Sequence, residues 1–313
     1  MTYSPVHPAK VFYVKSVNQS IGAQRTWVWR GWRIRYTYIR SLSRLEAIPI
    51  VLLHGFGSSF AQWRYNLKPL SESHSVYALD LLGFGASQKA PERYGSPLWM
   101  AQVYEFWRKW IKRPVILAGH SLGGSVALAI ADTYPEMVQG LVLFTVPPSR
   151  EELYQSKVQA SLASLEGVLT PRFLLTPLFH LLFYPPLLVP FVRQGLRSVY
   201  VNKDLVDEQL VESFATPPQD PGSVDVLSRL FLSKNNREYT PHVGRVFPQL
   251  KMPVLLVWGK QDPIFSIRQA RELVVQNSQA QLVEIEQAGH CVYDEQPQQV
   301  NQALLEWIEE ITG

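Results

Sequence analysis

Short apolar runs bounded by glycine, proline or polar clusters recur along the chain: PIVLLHG at 49–55, SVYALDL at 75–81, PVILAGHS at 114–121, LVLFT at 141–145, PVLLVWG at 253–259 and AQLVEIEQAGH at 280–290. Runs without polar alternation read as strands buried on both faces, the habit of a parallel sheet. The stretches between them place apolar residues at helical spacing, so strand and helix alternate and the helices cover both faces of the sheet. Upstream, TWVWRGWRIRYTYIR at 26–40 sets aromatic and β-branched residues on either side of Arg30 and Gly31, which predicts an antiparallel hairpin at the start of the sheet. A closing helix is expected around 297–311, and the sheet is expected to have about eight strands, most of them parallel.

One interval breaks the rhythm. Between Thr145 and Pro253 lie about a hundred residues, far more than a crossover between neighbouring parallel strands needs. The expected organisation is therefore a core domain made of residues 1–145 and 250–313, with a helical cap, 146–249, inserted after the sixth strand. Within the insertion, the run from Phe173 to Val192 carries no charge, and its length alone would suit a membrane span. Pro177, Pro185, Pro186 and Pro190 argue against a span, because each removes a backbone donor and kinks a helix. Two readings remain: short helices packed on the sheet domain, or an apolar lid that meets a greasy substrate or a membrane surface.

Composition narrows the class. Apolar residues make up 46% and charged residues 18% of the 313, enough for a substantial core and too few charges for long disordered tails. Lys and Arg exceed Asp and Glu by only four and are scattered, which argues against a nucleic-acid partner. Cys291 is the one cysteine, so no intrachain disulfide forms and a reducing compartment is expected. The N-terminal MTYSPVHPAKVFYVKS lacks an apolar run of signal-peptide length, so a place in the cytoplasm or peripheral to a membrane is expected.

The candidate chemistry begins at Gly119-His120-Ser121-Leu122-Gly123. The bare G-x-S-x-G pattern is common by chance, but here it follows a strand and precedes the helix-like SVALAIADTYP. Small residues permit a strained turn that lifts the Ser121 hydroxyl above the sheet edge, and Gly124 is expected to let the helix lie close to the strand. A serine hydroxyl needs a base, and His290, after the last strand, is the histidine whose loop returns to that edge. His54 and His120 fall in the loop and elbow themselves, His180 and His242 in the insertion, and His7 and His74 away from strand carboxyl ends. Asp262, just beyond PVLLVWG, is the carboxylate that would orient the imidazole, while Asp80 precedes Ser121 and is read as structural. Backbone N–H groups of Phe56, between Gly55 and Gly57, and of Leu122 would stabilise an oxyanion. No phosphate loop, dinucleotide fingerprint or metal-ligand cluster is recognisable, so no cofactor or metal is expected.

HGFG, GHSLGG, the QDP stretch and the final GH together resemble the α/β-hydrolase family from about residue 25 to the end of the chain. SSFAQWRYNLKPL, VYALDLLGFGASQKA and GHCVYDEQPQQVN further resemble its pheophytinase and chlorophyll dephytylase branch, although the elbow has His120 where much of that branch has asparagine. The resemblance implies a serine esterase with Ser121, Asp262 and His290 as triad. It also implies a hydrophobic small-molecule ester such as a phytyl ester, and a place peripheral to a photosynthetic membrane. Two rival functions share the motifs: a carbon–carbon bond hydrolase with the same triad, and a non-catalytic pigment or lipid binder. Relatives that attack with an elbow aspartate are disfavoured by Ser121.

Overall fold

The computed structural model describes residues 21–41, 43, 46–149, 152, 181, 183–233 and 240–313. The chain enters the sheet through the expected hairpin, β1 (Gln24–Trp29) and β2 (Trp32–Ile39), antiparallel with Trp29 opposite Trp32. Arg30 and Gly31 form the connecting turn with φ of 49° and 85°, the positive pair that matches the twist of the flanking strands. Six further strands follow: β3 (Ile50–Leu53), β4 (Val76–Leu79), β5 (Val115–His120), β6 (Val138–Phe144), β7 (Val254–Gly259) and β8 (Ala280–Ile285). They lie in the order β1-β2-β4-β3-β5-β6-β7-β8, and every pairing beyond β2 is parallel except β2 with β4. β6 starts earlier than its apolar core suggests, and β8 ends at Ile285, so residues 286–290 are loop.

Helices α1 (Ser96–Trp110) and α2 (Leu122–Thr133) follow β4 and β5. Between β6 and β7 come α3 (Pro185–Val199), α4 (Glu208–Ala215) and α5 (Ser223–Ser233). After β7 and β8 come α6 (Ile267–Val274) and α7 (Pro297–Thr312). Alternation along β5 divides the core: Val115 and Leu117 pack with α1, α2 and α6, whereas Ile116 and Ala118 pack on the opposite face with α7. The residues between β6 and β7 contribute to both sides. Val226 and Leu230 of α5 join the first cluster, and Leu196, Tyr200 and Leu210 join the second.

Pro190 lies inside α3. Pro185 and Pro186 occupy the first turn, where amide hydrogens have no helical partner in any case. Pro190 forfeits one bond, and the carbonyl four residues back belongs to solvent-exposed Pro186, which water can satisfy. The first part of the uncharged run, residues 173–180, lies outside the described residues, as do His7 and His180. No helix among the described residues is long and apolar enough to cross a membrane.

Candidate active site

Ser121 is the single residue between the end of β5 and the start of α2. Its backbone has φ 51° and ψ −112°, a conformation that costs a residue with a side chain about 1–3 kcal/mol. The neighbouring strand holds it there: the Ser121 N–H is directed at the carbonyls of Phe144, 3.0 Å away, and Thr145, 2.9 Å away. The turn also requires bare backbone around it. A Cβ on Gly119 would lie 2.2 Å from the Gly123 carbonyl oxygen, and one on Gly123 would lie 2.4 Å from that of Leu53. The tightest approaches of helix to sheet are thus at Gly119 and Gly123, with Gly124 less constrained than the sequence suggested.

The loop after β7 presents Asp262 with its side chain fully buried. Its Oδ1 accepts from the backbone N–H groups of Ile264 at 2.8 Å and Phe265 at 3.0 Å. Its Oδ2 accepts from His290 Nδ1 at 2.9 Å and from the Thr145 hydroxyl at 3.2 Å. Four donors aimed at one carboxylate fix its plane. A proton on Nδ1 of His290 leaves the lone pair of Nε2 available to accept another. Thr145, whose φ is 52°, links the two halves: its carbonyl receives the Ser121 N–H while its hydroxyl donates to Asp262. Position alone gave no sign of that role, because the residue reads as the last of a buried strand.

Leu122 is the first residue of α2, where an amide N–H has no acceptor within the helix. Phe56 sits in the turn after β3, its ring edge-on to Phe84 at 5.5 Å. His54 anchors that turn. Its Nδ1 donates to the Gly55 carbonyl at 2.7 Å, its Nε2 accepts from the Leu81 N–H at 3.0 Å, and burial pushes its pKa down to about 4. Gln62 adds a second tie by accepting from the Gly55 N–H at 3.0 Å.

The remaining histidines have other partners. His120 donates from Nε2 to the His290 carbonyl at 3.1 Å, and burial holds its pKa well below the ordinary value. His74 bonds the Ile48 carbonyl through Nδ1 at 2.9 Å, and His242 lies 3.3 Å from the Glu152 carboxylate. Asp80 is buried and accepts from the N–H groups of Phe60 and Ala86, each at 2.7 Å, while burial raises its pKa to about 7. Those bonds tie two loops together, in keeping with a structural part. Among the described residues no group of His, Cys, Asp and Glu side chains is arranged to hold a metal ion.

A cavity of about 470 Å³ opens beside Phe56, walled by Phe84, Leu188, Phe191, Leu196 and Phe214 among others. Lys89 is the charged residue in its lining, and its ammonium donates to the carbonyls of Gly85 at 2.5 Å and Ser87 at 3.0 Å and to Asp220 at 3.1 Å. Three donated bonds use all three of its protons. Among the described residues the cavity wall is therefore apolar in effect.

Residues 48–297 match the model of the alpha/beta hydrolase fold family, and the chain belongs to that family. It is 31% identical over 263 residues to the dihydrolipoyllysine-residue acetyltransferase component of an acetoin cleaving system from Pseudomonas putida, covering 83% of this chain and 63% of that relative's length. It is 28% identical over 295 residues to the human 1-acylglycerol-3-phosphate O-acyltransferase ABHD5, covering 88% of this chain and 80% of the relative. Among solved structures, the meta-cleavage product hydrolase from Pseudomonas fluorescens IP01 superposes with a TM-score of 0.72 at 20% identity, over 94% of this chain and 99% of that one, a likeness of fold.

Proposed function

We propose that this chain is a serine hydrolase that cleaves a carboxylic ester of a hydrophobic substrate through an acyl-enzyme. The observation that carries the reading is Thr145, which ties the backbone of Ser121 to the carboxylate that holds His290. His290 Nε2 takes the Ser121 proton as Oγ attacks the ester carbonyl, and Asp262 stabilises the imidazolium that forms. The N–H groups of Phe56 and Leu122 receive the negative charge on the carbonyl oxygen. Collapse of the tetrahedral intermediate expels the alcohol with the proton from His290. Water, activated by the same imidazole, then releases the acid.

The segment between β6 and β7 acts in this reading as a cap over residues 146–249, because α3 and α5 supply Leu188, Phe191, Val226 and Leu230 to the cavity wall. A wall that is apolar among the described residues, with Lys89 already engaged, suits a long hydrocarbon group and disfavours a small anionic substrate, which would need a free positive charge. This weighs against the carbon–carbon bond hydrolase alternative. The motifs shared with pheophytinases and chlorophyll dephytylases make a phytyl ester the first substrate to try, approached at the surface of a membrane. The test is hydrolysis of pheophytin, chlorophyll and a short-chain nitrophenyl ester by wild type and Ser121→Ala. Phytol release lost only in the variant supports the full reading. Turnover of the short ester alone keeps the serine hydrolase and discards the phytyl substrate. Wild-type activity in Ser121→Ala refutes both.

A further inference from the structure

The loop that carries His290 is stitched to a distant part of the chain. The His290 N–H donates to the Val199 carbonyl at 3.0 Å, at the end of α3. Gly289 lies so close to the same carbonyl that a Cβ on it would be 2.4 Å away. Beneath both runs the carboxylate of Glu295, a buried residue in the short helix Val292–Glu295. Its Oε1 accepts from the Gly289 N–H at 2.7 Å. Its Oε2 accepts from the N–H groups of Val201 at 2.7 Å and Asn202 at 3.3 Å. One buried carboxylate thus fastens the residue before His290 to the residues that follow α3.

From this geometry we infer that Glu295 is a positioning residue, which sets where the imidazole of His290 stands by clamping its loop to the foot of the inserted segment. The inference rests on His290 being the base of the proposed hydrolase. Its logic is one of spacing. Asp262 fixes the far side of the ring through Nδ1, but a ring pinned at one nitrogen can still pivot about that bond. The backbone of residues 289 and 290 determines the pivot, and its two amide hydrogens go to Glu295 and to Val199, not to the sheet. Glu295 also separates this contact from the ion pair next to it. Asp294 serves Arg64, at 2.8 Å, and Tyr200, at 2.9 Å, leaving Glu295 to hold backbone N–H groups alone.

An amide in place of the carboxylate presents two donors where three backbone donors converge, so Glu295→Gln must turn at least one N–H away. A displacement of the order of 1 Å at a reacting group costs about a hundredfold in rate. The experiment measures kcat and KM on a short nitrophenyl ester, the rate of fluorophosphonate labelling at Ser121, and the thermal melting curve for wild type, Glu295→Gln and Glu295→Asp. Expected for Glu295→Gln is a loss of about ten- to a hundredfold in kcat and in labelling rate together, with KM within about twofold of wild type and the protein folded at the assay temperature. Glu295→Asp, which keeps the charge and shortens the reach, is expected to recover part of the rate. Unchanged kcat in Glu295→Gln overturns the proposal. So does a rate loss that merely follows the unfolded fraction, or failure of both variants to fold, since either assigns Glu295 a purely structural part. Ser121→Ala in the same assay separates the two layers: full activity there refutes the hydrolase reading itself, whereas inactive Ser121→Ala beside fully active Glu295→Gln refutes the clamp alone.

Discussion

Replacing Asp262 by asparagine tests the site at its most constrained point. The carboxylate accepts four hydrogen bonds, two on each oxygen, from Ile264, Phe265, His290 and Thr145. Asparagine keeps one acceptor oxygen. The two backbone N–H groups cannot rotate, so that oxygen stays with Ile264 and Phe265, and the NH₂ group turns to His290 and Thr145. The threonine hydroxyl can swing round to accept. The imidazole can accept only by moving its own proton from Nδ1 to Nε2, which places a hydrogen where the proposed mechanism sends the Ser121 proton. A base locked in the wrong tautomer loses about 10⁴ in kcat, or about 5.5 kcal/mol of barrier, while the fold keeps every backbone bond at that site. The assay is kcat/KM on a nitrophenyl ester from pH 6 to 10, with circular dichroism to verify folding. If Asp262→Asn keeps more than about a tenth of wild-type activity near neutral pH, the tautomer argument is wrong and Asp262 is a turn residue.

Further expectations concern stability. Ser121→Gly relieves a positive φ at the elbow and is expected to raise the unfolding free energy by about 1 kcal/mol while removing ester turnover; a lowered melting temperature would contradict the strain. Arg64→Met leaves the Asp294 carboxylate, only 1% exposed, without its guanidinium, and is expected to cost about 3–5 kcal/mol in a urea titration. His54, neutral when folded with a pKa of about 4 against 6.5 unfolded, contributes stability that is full above pH 6.5 and is lost as the pH falls through 4, about 3 kcal/mol in all. The opposing drift from Asp80 is common to both proteins, so the difference in pH slope between wild type and His54→Asn isolates this term; identical slopes would refute it.

Local signals carried much of the sheet and little of what joins its loops. The hairpin turn at Arg30-Gly31 was legible because two consecutive positive φ values suit glycine and few other residues, and β3 to β7 because a strand buried on both faces must be apolar throughout. Ser121, Asp262 and His290 stood out by their places after strands. Thr145 did not, since a buried threonine ending a strand carries no mark of a backbone held at positive φ. Glu295 and Asp294 could have been flagged as adjacent acids directly after a buried run. Their partners, Gly289, Val201 and Arg64, lie at separations that no periodicity encodes. That α3 runs through Pro190 was not legible, because the cost of a proline inside a helix depends on whether the orphaned carbonyl meets water, a property of exposure and not of sequence spacing.

The place where the insertion leaves the sheet sets the terms on which its specificity can be exchanged. Thr145 ties Ser121 to Asp262, and Val146 after it is still held, buried in the core with its carbonyl accepting from the Gln269 side chain at 2.8 Å, so the chain is free to change course only beyond Val146. Its later course is less free, because the Val199 carbonyl accepts from the His290 N–H and the N–H groups of Val201 and Asn202 donate to the Glu295 carboxylate. A graft that brings in another family member's version of the wall residues on α3, Leu188 and Phe191 among them, can therefore begin after Val146, but it must hand back to this chain before Val199. A transplant of the whole insertion would carry off the support of the His290 loop along with the wall.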